Sequence, residues 1–133
     1  MAASLHVLVG NLPKDNFSIM REHFNSNHVD SLLCKGVYLY EYVNGFSKFN
    51  ETKSPARDHF FSSLSGELIT EDEYAYANEV WLTLQLKTLG EYHDIYLKAD
   101  ILLLCDVFQN FRSLYMEYYK IDPCHLLNAP GLA

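Results

Sequence analysis

Tyr96 and Asp100 carry side chains whose types and spacing suit phosphodiester hydrolysis. They are four residues apart in a stretch that predicts a helix, so their Cβ atoms would lie roughly 5–6 Å apart on one face. A carboxylate can hold a divalent cation, and a neighbouring phenol can orient a water molecule. The pair is therefore a candidate half-site for metal-assisted hydrolysis.

Two structural interpretations of the same pair stay open. Tyr96 could be a core aromatic residue with its hydroxyl at the rim, and Asp100 could be a buried acid bonded to a neighbouring loop. The spacing is not unique, because Tyr118 and Asp122 repeat it just before Pro123, where a helix is expected to end.

A long helix over residues 88–119 is predicted to position the pair. Thr88 and Glu91 form a capping box, and large side chains then recur at three- and four-residue steps. These residues, expected to form one buried face with Asp100 on it, are Leu89, Tyr92, Tyr96, Leu103, Val107, Phe111, Leu114 and Tyr118.

A second capping box, at Thr70 and Glu73, predicts a helix that ends near Lys87. Tyr74, Ala77, Trp81 and Leu84 recur along one face of that helix. The acidic run at residues 71–73 suits a helix N-terminus better than a cation site.

The other elements are predicted to be short. Residues 4–9 read as a short helix or strand, and Phe17, Met20 and Phe24 predict an amphipathic helix of about three turns. Residues 25–30 read as a loop, residues 37–42 as extended chain, and residues 129–131 as a turn.

Composition limits the class of protein. With 133 residues, 49% of them hydrophobic, the chain fits one small domain or a piece of a larger one. A net charge of −7 argues against an autonomous nucleic-acid binder. Three widely separated cysteines suggest a reducing compartment and three buried thiols, at Cys34, Cys105 and Cys124. No long apolar run or basic leader is present, so we expect an intracellular protein of the nucleus or cytoplasm, not secreted, with no membrane partner.

Several short sequence motifs, taken in order, resemble those of the protein-primed family B DNA polymerases. They are Lys35-Gly36-Val37-Tyr38, then Tyr40-Glu41-Tyr42, the run from Phe61 to Glu67, the run from Tyr92 to Leu104, and finally Asp122-Pro123 with Pro130-Gly131-Leu132. The likeness is strongest to the polymerases of large self-synthesising eukaryotic transposons (Polinton/Maverick) and of linear plasmids, and it covers nearly the whole chain.

The resemblance implies roles for particular residues. Tyr96 and Asp100 match the third exonuclease motif, which makes Asp100 a metal ligand and Tyr96 a residue that places the attacking water. Lys35 and Tyr38 match a Lys-x-x-hydrophobic motif, in which Lys35 stabilises charge on the scissile phosphate. Ser4 and Leu5 begin a match to a motif that contacts single-stranded DNA and the terminal protein primer.

The resemblance also implies a fold and a parent activity. Residues 1–120 would be the helix-rich C-terminal part of an α/β, ribonuclease-H-like 3′–5′ exonuclease domain, with any strand supplied by residues 31–43. Residues 121–133 would begin the polymerase region. The parent would use Mg²⁺ or Mn²⁺, DNA and dNTPs.

Two consequences follow for the chain by itself. The first two exonuclease motifs and the palm motifs would lie outside it, so we expect little or no activity from the isolated chain. The alternative is a truncated or domesticated helical module whose long helix docks a partner protein.

Overall fold

Helices dominate the computed structural model, which describes residues 4–125. Within that range the α-helices are α1 (Leu5–Asn11), α2 (Ser18–His23), α3 (Ser26–Val29), α4 (Glu71–Thr83) and α5 (Leu89–Tyr119). Short 3-10 turns lie between and after them, at Lys14–Asn16, Asp30–Leu32, Phe46–Asn50, Arg57–Phe60 and Pro123–His125. The turn predicted at residues 129–131, and the Pro130-Gly131-Leu132 part of the resemblance, lie outside the described residues.

The long helix α5 is the predicted one, and the other elements pack along it. Its 31 residues span about 46 Å, and α1, α2 and the Phe46–Asn50 turn contact it. The Thr88 side chain accepts a hydrogen bond from the Glu91 backbone N–H at 3.2 Å, as the capping box predicts. The Glu91 carboxylate accepts from the N–H of Lys87, one residue earlier than expected. Lys120 ends the helix in the left-handed region, with φ of +57°.

Helix α4 has the predicted start but ends four residues before Lys87. Both hydrogen bonds of the capping box form, between the side chains and backbones of Thr70 and Glu73. The helix stops at Thr83 because Gln85 takes a positive φ of +54° and the Leu86 N–H then bonds to the Trp81 carbonyl. That pattern is a Schellman motif, in which a glutamine occupies the position that usually holds glycine.

The strand expected within residues 31–43 is absent, which corrects the prediction of extended, paired chain at residues 37–42. Residues 35–39 have no regular structure and residues 40–42 form a turn. Among residues 4–125 the one β-type pairing is an isolated bridge between Ser62 and Glu67. A strand needs a partner strand for its backbone groups. In this segment the phenol of Tyr92 binds the carbonyl of Val37 instead.

The N-terminal third differs from its prediction in detail. Residues 4–9 lie mostly in a helix, α1, rather than a strand. The helix around Phe17 and Met20 has six residues, less than the expected three turns, yet both of these side chains are fully buried. Residues 25–30 are helical rather than loop, because the Asn25 side chain caps the N–H of Asn27 at the start of α3.

The predicted apolar face of α5 is buried only over its first half. Leu89, Tyr92 and Leu103 are buried in the core, whereas Phe111, Leu114 and Tyr118 are exposed. The prediction that the stripe stays buried to the end of the helix is therefore wrong. The contacts of the N-terminal elements with α5 reach at least as far as Asn110, whose side chain donates to the Asn16 carbonyl. The fully buried side chains are Phe17, Met20, Val29, Leu39, Leu89, Leu103 and Asp106.

Asp106 is the buried acid of α5, and it holds α2 in place. Its two carboxylate oxygens accept hydrogen bonds from the backbone N–H groups of Ile19 and Met20, each at 2.9 Å. These donors belong to the first turn of α2, which has no capping side chain of its own. A carboxylate at a helix N-terminus also interacts favourably with the helix dipole. The structural role considered for Asp100 thus belongs to Asp106.

The cysteine prediction is also wrong in one respect. Cys34, Cys105 and Cys124 are all exposed free thiols rather than buried ones. Cys34 precedes the irregular segment, Cys105 lies on the outer side of α5, and Cys124 lies in the turn after α5. None of these places is covered by the core.

The described chain is therefore a helix-rich domain arranged around α5. No helix among residues 4–125 combines the length and the apolar character needed to cross a membrane. The candidate site residues lie where the irregular segment at residues 35–39 crosses the first half of α5.

Replacing Asp106 with alanine should destabilise the fold strongly. Two backbone N–H groups would lose a charged, buried acceptor, so we expect the free energy of unfolding to fall by about 2–4 kcal/mol. Urea denaturation measures this loss, with the exposed Asp94→Ala on the same helix as the matched control. Equal midpoints for the two variants would contradict the capping role.

Candidate functional site

Gly36 brings the irregular segment into direct contact with Tyr96 and Asp100. A Cβ atom at Gly36 would lie 2.7 Å from Cδ2 of the Tyr96 ring and 3.8 Å from the Asp100 Oδ1 atom. The first distance is a steric clash, so only glycine allows this approach. The backbone beside Lys35 therefore lies against the Tyr96–Asp100 pair, although about sixty residues separate the two sequence motifs.

The Tyr96 ring lies between two other tyrosines. It stacks on Tyr38 with 4.5 Å between ring centroids, and its hydroxyl is hydrogen-bonded to the hydroxyl of Tyr40. Burial, the bond to Tyr40 and the negative charge of Asp100 raise the pKa of Tyr96 well above its usual range, in that order of importance. The phenol is thus held in its protonated, hydrogen-bonding form.

Asp100 has an unsatisfied carboxylate oxygen. Its Oδ1 atom is buried and has no hydrogen-bond partner among the described residues. Asp100 lies close enough to raise the pKa of Tyr96 through its charge and through a side-chain hydrogen bond, whereas its Oδ1 atom itself has no partner among the described residues. A buried carboxylate oxygen without a donor is costly and is well suited to accept a ligand from outside the chain.

Lys35 lies at the edge of this arrangement, with an exposed side chain. Within residues 4–125 it forms no ion pair. It lines an open groove of about 500 Å³ together with His6, Tyr38, Asp72 and Glu73. Its ammonium group is therefore exposed at this groove, at the end of a flexible side chain.

Ser4 and Leu5 have structural contacts of their own. The Ser4 side chain caps α1 by accepting a hydrogen bond from the Val7 N–H at 3.4 Å, and Leu5 packs partly buried against the core. The next residue, His6, lines the same groove as Lys35. The N-terminal motif thus lies beside the candidate site, but none of its side chains touches Tyr96 or Asp100 through a hydrogen bond in the described structure.

Hydrogen bonds of tyrosine side chains hold the irregular segment on α5 and the 3-10 turn before it on α4. Tyr92 donates to the Val37 carbonyl at 2.5 Å, and Tyr76 donates to the Ser31 carbonyl at 2.9 Å. The Tyr38 hydroxyl is hydrogen-bonded to Nδ1 of His93 at 2.5 Å. Side-chain donors and acceptors on the two helices therefore replace the neighbouring strand that this segment lacks.

The second Tyr-x3-Asp pattern has a structural role. Asp122 follows the end of α5, as predicted, and forms a two-point ion pair with Arg112 at 2.5–2.9 Å. Its carboxylate also accepts from the Cys124 N–H at 2.9 Å. The Arg112 guanidinium lowers the pKa of Asp122 far below its usual range. This acid fixes the chain after α5.

The described residues offer a divalent cation one carboxylate ligand at this site. The unpartnered Asp100 Oδ1 supplies a hard oxygen of the kind that Mg²⁺ and Mn²⁺ prefer. No group of three His, Cys, Asp or Glu side chains converges anywhere in residues 4–125. A two-metal centre needs further carboxylates, which would have to come from beyond these residues.

Sequence reasoning missed two participants in the site. Tyr40 was placed in an extended segment and in a motif of the resemblance, and its hydroxyl in fact meets that of Tyr96. Gly36 appears in the Lys35-Gly36-Val37-Tyr38 motif, which does not indicate its contact with Tyr96. No periodic sequence pattern could have identified these two contacts, because both depend on how a loop crosses a helix.

Comparison with family models, with curated proteins and with solved structures found no match to this chain. The arrangement around Asp100 therefore has to be interpreted from its own chemistry and from the sequence motifs.

Gly36→Ala should disturb the site and the fold together. The added Cβ would overlap the Tyr96 ring, so we expect a loss of about 1–3 kcal/mol in the free energy of unfolding. Gly10→Ala is the matched control, because nothing lies within 4 Å of a Cβ at Gly10 in α1. There the change should be neutral or stabilising by up to about 1 kcal/mol.

A double-mutant cycle tests the proposed clash. In a Tyr96→Ala background the Gly36→Ala substitution should cost much less, since the ring that it strikes is gone. If the losses in the free energy of unfolding from the two substitutions simply add in urea denaturation, the alanine at residue 36 does not act through the Tyr96 ring.

Alkaline pH should weaken the attachment of the irregular segment. Burial raises the pKa of Tyr92 and that of Tyr76, so the folded state favours their protonated forms. Their stabilising contribution is complete below about pH 10 and falls as the pH rises, by up to about 1.4 kcal/mol per pH unit for each group.

Urea denaturation across this pH range measures the loss. Tyr92→Phe should reduce the slope of stability against pH, whereas the exposed Tyr118→Phe should not. Identical slopes for Tyr92→Phe and the unmodified chain would contradict the prediction.

Proposed function

We propose that this chain is the C-terminal part of the 3′–5′ exonuclease domain of a protein-primed family B DNA polymerase, running into the start of the polymerase region. The parent enzyme would copy DNA from dNTPs and remove 3′-terminal nucleotides from its own product. Asp100 is proposed as a metal ligand, Tyr96 as the residue that orients the attacking water, and Lys35 as the cation that stabilises charge on the phosphate.

One observation carries this proposal. Gly36 brings the Lys35 segment against Tyr96 and Asp100, and the Asp100 Oδ1 atom at this contact has no partner among the described residues. Lys35 and the Tyr-x3-Asp pattern were selected from sequence motifs far apart in the chain, so their proximity is information that the motifs did not contain. A structural acid would more simply be bonded, as Asp106 is.

The cofactor and partners follow from the same chemistry. Mg²⁺ or Mn²⁺, held partly by Asp100, would activate the water and stabilise the leaving group. Lys35 would meet the phosphate of a single-stranded 3′ end, and the Ser4–Leu5 region would contact the same strand or a terminal protein primer. The net charge of −7 argues against DNA binding by this chain alone, so a basic DNA channel would come from other parts of the parent.

The fold proposed for the parent domain is ribonuclease-H-like. The described helices would then pack on a sheet supplied by other residues of the parent, since residues 35–42 form no strand by themselves. The exposed apolar side chains on the outer half of α5 suit a helix that is covered by more protein.

The exposed side of α5 also favours a second candidate function. A helical interaction module would use that surface to dock a partner protein, and Tyr96 and Asp100 would serve only as scaffold. The two functions make opposite predictions for the Asp100 carboxylate, because a scaffold acid stabilises the apo fold and a metal ligand does not.

Asp100→Asn should therefore leave the free energy of unfolding unchanged or raise it by about 1 kcal/mol, because it removes an unpartnered buried charge. Asp106→Asn, six residues later on the same helix, should lower it. Thermal melts of the two variants give the comparison. A marked loss of stability in Asp100→Asn would favour the scaffold function.

Metal binding gives a direct test of Asp100. Mn²⁺ should broaden the NMR signals of Asp100 and Tyr96, and Asp100→Asn should abolish the effect while Asp94→Asn preserves it. Broadening that is centred on Glu71–Glu73 and unchanged in Asp100→Asn would count against the proposal.

Sequencing the transcript through both ends of this segment tests the parent. We expect the reading frame to continue upstream into Asp-x-Glu and Asn…aromatic-Asp motifs, and downstream into palm carboxylates. Asp100→Ala should then reduce exonuclease activity of the longer product by about 100-fold or more. A transcript confined to residues 1–133 would refute the polymerase assignment.

A further inference from the structure

The exposed side of α5 carries a regular stripe of large apolar side chains. Its members follow alternating steps of four and three residues, and they are Leu97, Ile101, Leu104, Phe108, Phe111 and Tyr115. Tyr118 continues the alternation three residues later. Apart from the partly buried Tyr115, these side chains are 37–72% exposed. We call these seven residues the outer stripe.

The outer stripe is distinct from the face that α5 buries in the core. At about 100° per residue, the centre of the stripe lies about 130° around the helix from the buried side chains of Tyr92, Ala99 and Leu103. Tyr96 and Asp100 lie between the two faces. The helix is therefore apolar on two sides along much of its length, and only one side is covered within the described structure.

The spacing identifies the kind of surface that fits the stripe. Alternating four- and three-residue steps average 3.5 residues, the repeat of a two-stranded coiled coil. Such a stripe stays in register with another helix that supercoils around it, with Ile101, Phe108 and Tyr115 at one core position and Leu104 and Phe111 at the other. No member of the stripe is charged, so the contact would be dry.

The length of the stripe selects the partner helix. From Leu97 to Tyr118 it extends about 32 Å. Helix α4 has 13 residues and is the longest of the other described helices, so it could not cover the stripe. Within residues 4–125 α5 alone has sufficient length and a matching apolar stripe. We infer that this chain forms a dimer in which the outer stripes of two α5 helices pack together as a coiled coil.

The available area agrees with this partner. Seven large side chains, each about half exposed, hold on the order of 600 Å² per chain, which approaches the ~800 Å² per partner of a standard interface. One flank of the stripe carries Lys98 and Arg112, and the other carries Asp100. Lys98 bonds to the His23 carbonyl and Arg112 to Asp122 within the chain, so neither cation is left to oppose a second helix.

The inference goes beyond both candidate functions, because it names the occupant of the outer surface, and it does not rest on the polymerase assignment. The oligomeric state and the metal response of Asp100 are separate measurements. Failure of one leaves the other unchanged.

Sedimentation equilibrium over a wide concentration range tests the dimer. We expect a mass twice that of one chain. Raising the salt concentration should lower the dissociation constant of the dimer, because salt screens the repulsion between two chains of net charge −7. Leu104→Glu and Phe108→Glu should each raise the dissociation constant by about tenfold or more. The matched control is Leu82→Glu, at a 74% exposed leucine on α4, which should leave it unchanged.

Several results would overturn the inference. They are a monomer at every concentration, a dimer that both α5 variants leave intact, and a dimer that Leu82→Glu weakens equally. A monomer would mean that the outer stripe is covered by other protein, as the exonuclease or docking functions allow.

A label on Cys105 provides a readout that leaves the stripe itself intact. Cys105 is exposed and flanks Leu104, and Cys34→Ser with Cys124→Ser leaves it as the single thiol. Because paired helix axes lie 8–10 Å apart, nitroxides on two copies should lie on the order of 15–30 Å from each other. A dimer with a much longer distance would have formed through another surface, which would also refute the inference.

Discussion

The carboxylate of Asp106 is the interaction on which the arrangement of the N-terminal half depends. Helix α2 has six residues and is too short to be stable by itself, and it has no cap of its own. Asp106 supplies the missing acceptors from α5, and two further side chains of α5 repeat the device: Lys98 donates to the His23 carbonyl at 2.8 Å and Asn110 to that of Asn16 at 3.0 Å. Both ends of α2 are thereby tied to one long helix, and Phe17 and Met20 are buried between them.

The candidate site uses the same principle with a different outcome. Tyr92 binds the Val37 carbonyl of the irregular segment, and Tyr76 binds the Ser31 carbonyl in the 3-10 turn before it. Gly36 then approaches α5 closely enough to exclude any side chain. At Asp106 the approaching backbone supplies N–H donors, whereas at Asp100 no donor from the described residues reaches the Oδ1 atom. Two acids on one helix are thus distinguished by their partners. One stabilises the apo fold, and the other carries a free acceptor, which suits a ligand.

The two apolar sides of α5 connect the site to the surface beyond it. The inner side, at Tyr92 and Leu103, is buried in the core, and the outer stripe is exposed. Asp100 lies between them, so any protein that covers the outer stripe would also limit the space around the candidate site. A dimer, a parent polymerase domain and a docked partner would each restrict access to Asp100 from that side. The outer stripe therefore bears on function whichever occupant is found.

Local chemistry in the sequence determined where the two longer helices begin and that Tyr96 and Asp100 share a helix, because capping boxes and three- to four-residue steps act within a few residues. Tertiary structure decided which acid is bonded, which half of α5 is buried and whether residues 37–42 pair as a strand. These outcomes depend on contacts such as Asp106 with Ile19, which are separated by 87 residues and leave no periodic pattern. The close approach of Gly36 to Tyr96 belongs to the same class, because a glycine permits contact without specifying its partner.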